Sequence, residues 1–355
     1  MRKSVAFFPS LPSYSGNPYW KLLAMRLGDL GYEVIDDNPD TISLRWLSRN
    51  RNRTPILHFH FIQQAYAYEK DYARLRWVIR FARNLLAARV FGYRIIWTMH
   101  NSQPSFPLRP SWIDELAHLI IANLAHSVIV HCQAAKNLLE EKYKRSQNVI
   151  IAYHPHYIGI YPDNNTTKSA ARQRFGLTND NRNILLYFGG MRPNKGIESL
   201  IQAFHSLNRK DTYLIIAGKS QEHRYTNYLK ALSKENPNIL FFDRWISNSE
   251  VQFFFRASDV VVLPFSRVLS SASVILAMSF GRAVIAPKKG CLQEVIPVGT
   301  GWLYDDNDQG NLVETIQLAL DDDFDMIGKQ AYKFVQNFSW NSFVENVVLA
   351  YRQYD

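Results

Sequence analysis

Twice along this chain, short apolar runs rich in Val, Ile and Leu alternate with helix-length segments for several cycles. Strands separated by whole helices cannot pair as hairpins. They pair in parallel through crossovers, so the sequence predicts doubly wound α/β sheets. In the first series, strand-like runs fall at 5–8, 32–35, 56–61, 93–99 and 127–131. Helical segments are predicted at 19–30, 66–91, 112–125 and 134–144. The second series places strands at 184–188, 213–217, 239–242, 260–263 and 283–286. Its helices fall at 197–207, 224–233, 248–257, 273–280 and 310–320, with two closing helices at 325–336 and 340–354. The polar stretch 161–169 between the series reads as a linker. At 355 residues the chain exceeds what one core usually serves. Two Rossmann-like domains facing a central cleft, with ligands at the carboxyl ends of the strands, are therefore expected.

Composition narrows the function classes. The two cysteines, Cys132 and Cys291, lie far apart without CxxC or Cys/His spacing, so no disulfide framework or zinc site is expected. A reducing, cytoplasmic compartment fits that usage. The basic, then apolar start is broken by Pro9 and Pro12, which favours a buried first strand over a secretory signal. No run of 18 or more apolar residues is present, so no membrane span is expected. Net charge is +10, and residues 1–150 carry 20 Lys/Arg against 11 Asp/Glu, while the rest carry 21 against 20. That asymmetry points to an anionic partner for the first half, either membrane or nucleic acid. No RNP, KH, helix-turn-helix or zinc-finger pattern supports nucleic acid.

Two segments of the second half suit phosphate. Gly189 and Gly190 follow a strand, Arg192 and Lys195 add two cations, and a helix opens near Gly196. Glycines let the backbone approach a ligand, and a helix N-terminus adds partial positive charge. A surface turn with two solvated cations fits the same local pattern. Ser270, Ser271 and Ser273 lead into another helix, where hydroxyls cap the helix or bind oxygen. An ordinary N-cap explains that segment equally well.

In combination these segments resemble a known family. FGGMRPNKGIESLIQAF, LIIAG, ASDVVVLPFSR, SVILAMSFGRAVIAP and Glu294 in CLQEVIP are similar in order and spacing to the retaining GT-B glycosyltransferases of the glycosyltransferase group 1 family. ILHFHF, IIWTMHN and SVIVHCQAAKNLLEEKY match more loosely, and FSWNSFVENVVLAYRQ looks like that family's final helix, which crosses back onto the first domain. The resemblance implies three parts: an acceptor-side domain over 1–160, a nucleotide-sugar domain over 161–337 and the crossing helix over 338–355. It implies an enzyme, a metal-independent hexosyltransferase that moves sugar from a UDP- or GDP-sugar to a glycan or lipid-linked acceptor in cell-envelope or exopolysaccharide synthesis. No cofactor is implied beyond the donor substrate. Arg192 and Lys195 would bind the donor diphosphate, with Gly189 and Gly190 lining the loop. Arg192 lies two positions beyond the family's usual arginine. The larger departure is at the E-x7-E element, where Val268 and Leu276 replace both glutamates. The Ser270–Ser273 run would take over donor contacts. Without the glutamates, a non-catalytic GT-B-like subunit is an alternative reading, and a basic nucleic-acid-binding protein is a more distant one.

In the first half, the resemblance sets Gly16 in a loop near the donor phosphates, with Asn17 beside it on the acceptor side. His100 and Asn101 end a strand and face the cleft by topology. The resemblance puts His100 near the donor sugar, where imidazole can bond a hydroxyl or move a proton. His58 and His60 share one strand face and, lacking a third ligand, give no zinc site. His154 and His156 flank Pro155 at the domain junction and are candidate cleft residues. Asp321, Asp322 and Asp323 mimic a metal-binding DxD, but a solvated helix terminus explains them. The predicted helix 66–91 interleaves Arg74, Arg76, Arg80, Arg83 and Arg89 with apolar residues and Trp77, the pattern of an interfacial helix at an anionic membrane. A domain helix with a solvated basic face carries the same pattern.

Overall fold

The computed structural model describes residues 3–10, 18–65, 71–102, 111–162, 166–177, 182–207, 209–220, 222–306 and 309–353. Gly16, Asn17 and the start of the predicted helix 66–91 lie outside them. Packing divides the chain into two units: 1–154 with 339–355, and 155–338.

The first unit runs β1 (Lys3–Phe8), α1 (Pro18–Asp29), β2 (Tyr32–Ile35), α2 (Leu44–Asn50), β3 (Ile56–Phe59), α3 (Asp71–Val90), β4 (Arg94–Met99), α4 (Trp112–Leu124), β5 (Ser127–Val130), α5 (Gln133–Tyr143) and β6 (Val149–Ile151). The second runs α6 (Lys168–Arg174), β7 (Asn183–Phe188), α7 (Ile197–Leu207), β8 (Thr212–Gly218), α8 (His223–Lys234), β9 (Ile239–Asp243), α9 (Val251–Ala257), β10 (Val260–Val262), α10 (Ala272–Ser279), β11 (Ala283–Pro287), α11 (Leu292–Val295), β12 (Gly301–Tyr304), α12 (Gln309–Leu320) and α13 (Phe324–Val335). The last helix, α14 (Trp340–Arg352), returns to the first unit.

Each unit is built on a six-stranded sheet, ordered β2-β1-β3-β4-β5-β6 and β12-β11-β10-β7-β8-β9. Every pairing is parallel. Strands such as β3 (ILHF) are buried at every position, as sheets covered on both faces require. Helices instead bury one stripe: α7 buries Ile197, Leu200, Ile201, Phe204 and Leu207 against the second sheet. In the first unit, α14 sends Trp340, Phe343, Val344, Val347 and Tyr351 into a core shared with Trp20, Leu23 and Leu27 of α1. Side chains of that size contribute roughly 1.5–3 kcal/mol each when fully buried, so α14 is integral to this unit. In the second unit, buried Asp259 accepts from Arg172 (2.7 Å) and from the Ile184 amide (2.6 Å), tying α6 to β7 and β10.

The strand order reverses beside β1 in the first unit and beside β7 in the second. Crevices at the carboxyl ends of strands form at such switch points. Several short elements depart from the sequence reading. β6 and β12, the edge strands of their sheets on the β5 and β11 sides, are absent from the sequence reading, and β12 opens on Gly301. α2 lies in a stretch crowded with arginine and asparagine. Lys168 opens α6 inside the expected linker, with Thr167 as its N-cap.

Candidate functional site

At the switch point of the second sheet, the loop after β7 meets the loop after β10. Gly189 has φ +148° and Gly196 φ +67°. A Cβ on Gly196 would stand 1.9 Å from the Pro264 carbonyl oxygen, so no side chain fits there. The buried Tyr187 hydroxyl donates to the Gly190 carbonyl (2.9 Å), and the Met191 amide donates to Lys219 O (3.2 Å). The loop is thereby fixed from below and from β8.

Pro193–Lys195 form one 3₁₀ turn that places Lys195 just before α7. Its ammonium lies over the Phe265 ring, 4.6 Å from the centroid. Burial and the neighbouring Arg192 push its pKa down to about 8. A cation held against an aromatic wall and a second cation is matched when a dianion arrives. Across the loop, Ser271 occupies the N-cap position of α10, yet its side chain makes no capping bond. Ser273 Oγ would be 3.4 Å from a Cβ on Gly189, so the start of α10 borders the glycine loop. The structure thus brings Gly189 against Ser273, with Gly190, Arg192 and Lys195 on the same loop as Gly189 and Ser271 at the N-cap of the helix that holds Ser273. Ser270 precedes them, half-buried.

In the first unit, β3, β4 and β5 are each followed directly by histidine: His60, His100 and His131. His131 Nδ1 bonds the Ala152 carbonyl (2.8 Å), which accepts only, so that nitrogen carries the proton. His131 Nε2 then accepts from His100 Nδ1 (3.1 Å), and His100 Nε2 accepts from His60 Nδ1 (3.1 Å). His60 Nε2 ends the row as a buried acceptor without a partner. Burial holds His60, His100 and His131 below the ordinary imidazole range, so the row is neutral. Both ring nitrogens of His100 are engaged, so a bond from either one to a sugar hydroxyl requires a neighbouring imidazole to turn away. His58, on the same strand, meets Tyr351 OH and Thr98 Oγ1 through its two ring nitrogens, each at 2.7 Å.

His154 stacks on Tyr19 at 5.0 Å in the first unit. His156 belongs to the second, where its Nδ1 accepts from the Ile158 amide (3.3 Å). Asn101 is half-buried beyond β4. Asp323 Oδ1 caps α13 through the amides of Asp325 and Met326. No three His, Cys, Asp or Glu side chains gather as metal ligands among the described residues.

Residues 169–337, which span the whole second switch point, match the family described as glycosyl transferases group 1. The fold is that of sucrose-phosphate synthase from Thermosynechococcus elongatus (TM-score 0.75, 20% identity, 99% of both chains). It is equally that of Anabaena HepE in complex with UDP and glucose (TM-score 0.72, 16% identity, 99% of this chain and 100% of that one). Along the sequence, the chain is 22% identical over 315 residues to GDP-mannose:glycolipid 4-beta-D-mannosyltransferase of Xanthomonas campestris, covering 85% of this chain and 79% of that one. Residues 169–337 are a glycosyltransferase group 1 domain, and the chain is a glycosyltransferase of GT-B fold.

Within this glycosyltransferase, the positions of the family's two glutamates are apolar in structure as in sequence. Leu276 is buried in the core of the second unit, and Val268 packs against it. Tyr187, Asn194 and Lys219 were not singled out by the sequence reading. Tyr187 reads as an ordinary buried strand residue, and its role needs the fold of the loop. Asn194 leaves Oδ1 buried and unpartnered one residue before Lys195. Lys219 adds an exposed cation directly beyond β8. A lysine immediately after LIIAG was the available signal.

Proposed function

We propose that this glycosyltransferase transfers a hexose from a GDP- or UDP-sugar, with GDP-mannose the first candidate, to a lipid-linked glycan at the cytoplasmic face of a membrane. The observation that carries this reading is Lys195, an ammonium of depressed pKa held over the Phe265 ring beside Arg192, where the glycine loop runs into α7. In the proposed reaction the sugar–phosphate bond breaks and the acceptor hydroxyl bonds the anomeric carbon. The diphosphate leaves with the bond's electrons, and the hydroxyl proton passes to base or solvent. Lys195, Arg192 and the open amides of α10 neutralise the departing charge, so the reading needs no metal. GDP-mannose and a glycolipid acceptor are suggested by the Xanthomonas relative's name. Its beta linkage, with Val268 and Leu276 at the glutamate positions, supports a reaction that does not depend on that carboxylate pair.

The proposed first-unit role is acceptor binding at the strand ends that carry His100 and Asn101. Membrane contact is proposed through α3. Tyr72, Arg76, Ile79, Arg83, Leu86 and Val90 recur at helical spacing and are all exposed. No helix among the described residues is long and apolar enough to cross a membrane. An apolar and arginine-bearing stripe lies at an interface rather than through it. A work in envelope or exported polysaccharide assembly follows from the lipid-linked acceptor. The test is nucleotide release from GDP-mannose, UDP-glucose and UDP-N-acetylglucosamine, with and without a lipid extract as acceptor. Acceptor-stimulated GDP release is expected. Binding of a nucleotide sugar with no release under any acceptor would favour a non-catalytic subunit.

A further inference from the structure

The first unit carries a second basic site, away from the histidine row. The segment after β2 and helix α2 border an open hollow of about 700 Å³, lined among others by Asp37, Asn38, Arg45, Trp46, Arg49 and Arg53. Arg45 and Arg49 are one helical turn apart and both exposed. Neither has an ion-pair partner among the described residues. The carboxylate of the lining, Asp37, is taken by Arg53 at 2.6 Å. The hollow therefore keeps an excess of two positive charges with guanidinium geometry suited to phosphate.

Its other walls are not those of a plain anion site. Asn38 is 5% exposed, and its Nδ2 donates to the carbonyls of Phe7 (2.7 Å) and Pro39 (3.1 Å). Both amide hydrogens are thus used, which fixes the amide and leaves Oδ1 buried with no partner. Asn38 thus lines the hollow with an unused acceptor, and none of the lining arginines donates to it. A hydroxyl supplies the missing donor. Half-buried Trp46, stacked against Tyr93, adds an apolar wall of the kind that receives a carbon skeleton.

We propose that this hollow binds a phosphorylated polyol, with Arg45 and Arg49 holding the phosphate, Asn38 Oδ1 accepting from a hydroxyl and Trp46 covering the carbon skeleton. The site lies beyond the carboxyl end of β2, the outermost strand of the sheet. The group is either free in solution or the head of a lipid. Its binding needs neither donor nor turnover, so its failure leaves the donor reading intact.

Calorimetry on the full chain should compare glucose 1-phosphate and glycerol 3-phosphate with glucose and glycerol. The phosphorylated probes are expected to bind about tenfold tighter or more. The double variant Arg45→Gln/Arg49→Gln should lose that advantage, while Arg51→Gln, outside the hollow, keeps it. Since all three arginines are exposed, unchanged melting temperatures will separate binding from folding. A second arm sediments the protein with phosphatidylcholine vesicles with and without phosphatidic acid. Binding gained with phosphatidic acid, over phosphatidylcholine alone, and lost in the double variant assigns the phosphate to a lipid head. Binding of the soluble probes alone assigns it to a free sugar or glycerol phosphate. The proposal is overturned if no phosphorylated probe binds in either arm, or if the double variant binds as the parent does.

Discussion

At the residue scale, Lys195 is the side chain whose surroundings are most specific to its proposed task. Its pKa of about 8 makes diphosphate affinity pH-dependent with a definite sign. The ammonium is charged below that value, so affinity should hold at pH 7 and fall as pH rises through 8 to 9. Calorimetry with GDP at stepped pH measures this, and a flat profile would remove Lys195 from the phosphate. Gly196 tests the loop rather than the charge. Its φ of +67° and the Pro264 carbonyl 1.9 Å from any Cβ mean that Gly196→Ala must displace the turn holding Lys195. A destabilisation of about 2–4 kcal/mol is expected by denaturant titration. Lys195 and the glycines were legible in the sequence because charge and glycine are themselves the signal. The histidine row was not. His60, His100 and His131 lie roughly 30 to 40 residues apart, and only the strand order of the sheet lines them up.

At the element scale, what the sequence conveyed was the alternation of strand and helix, and what it hid were elements too short to alternate. β7, β8 and α7 were readable because each sustains its period. β6 and β12 are held in place by β5 and β11, through pairings that no local pattern reports. Asp259 is the tie that a periodicity argument passes over. It lies beside β10, yet its partners are Arg172 on α6 and the Ile184 amide of β7. Asp259→Ala would strand a guanidinium that is 3% exposed and is expected to cost about 3–5 kcal/mol. Replacing Ile79 and Leu86 of α3 by glutamate tests a different property of an element. Both are exposed, at 61% and 52%, so folding should be unaffected while vesicle binding falls. Vesicle binding equal to that of the parent would reassign the stripe to solvent.

At the scale of the whole molecule, the two units carry different liabilities. The first unit buries His58, His60 and His131 and half-buries His100, all as neutral imidazoles, with His58 pushed down to about 3. Their folded pKa values lie below the unfolded value near 6.5, so the unfolded chain binds more protons once pH drops past that point. The stability of the first unit should be constant above about pH 6.5 and decline progressively below it. Hydrogen exchange should then report loss of protection in β3, β4 and β5 before β7, β8 and β10. The second unit carries the family match and the glycine loop proposed to hold the diphosphate. The most direct test is the melting temperature of the full chain with GDP, UDP and ADP, for the parent and for Lys195→Ala. A rise with one nucleoside diphosphate that disappears in the variant is the result predicted here. Equal stabilisation of parent and variant, or none with any of the three, would contradict it.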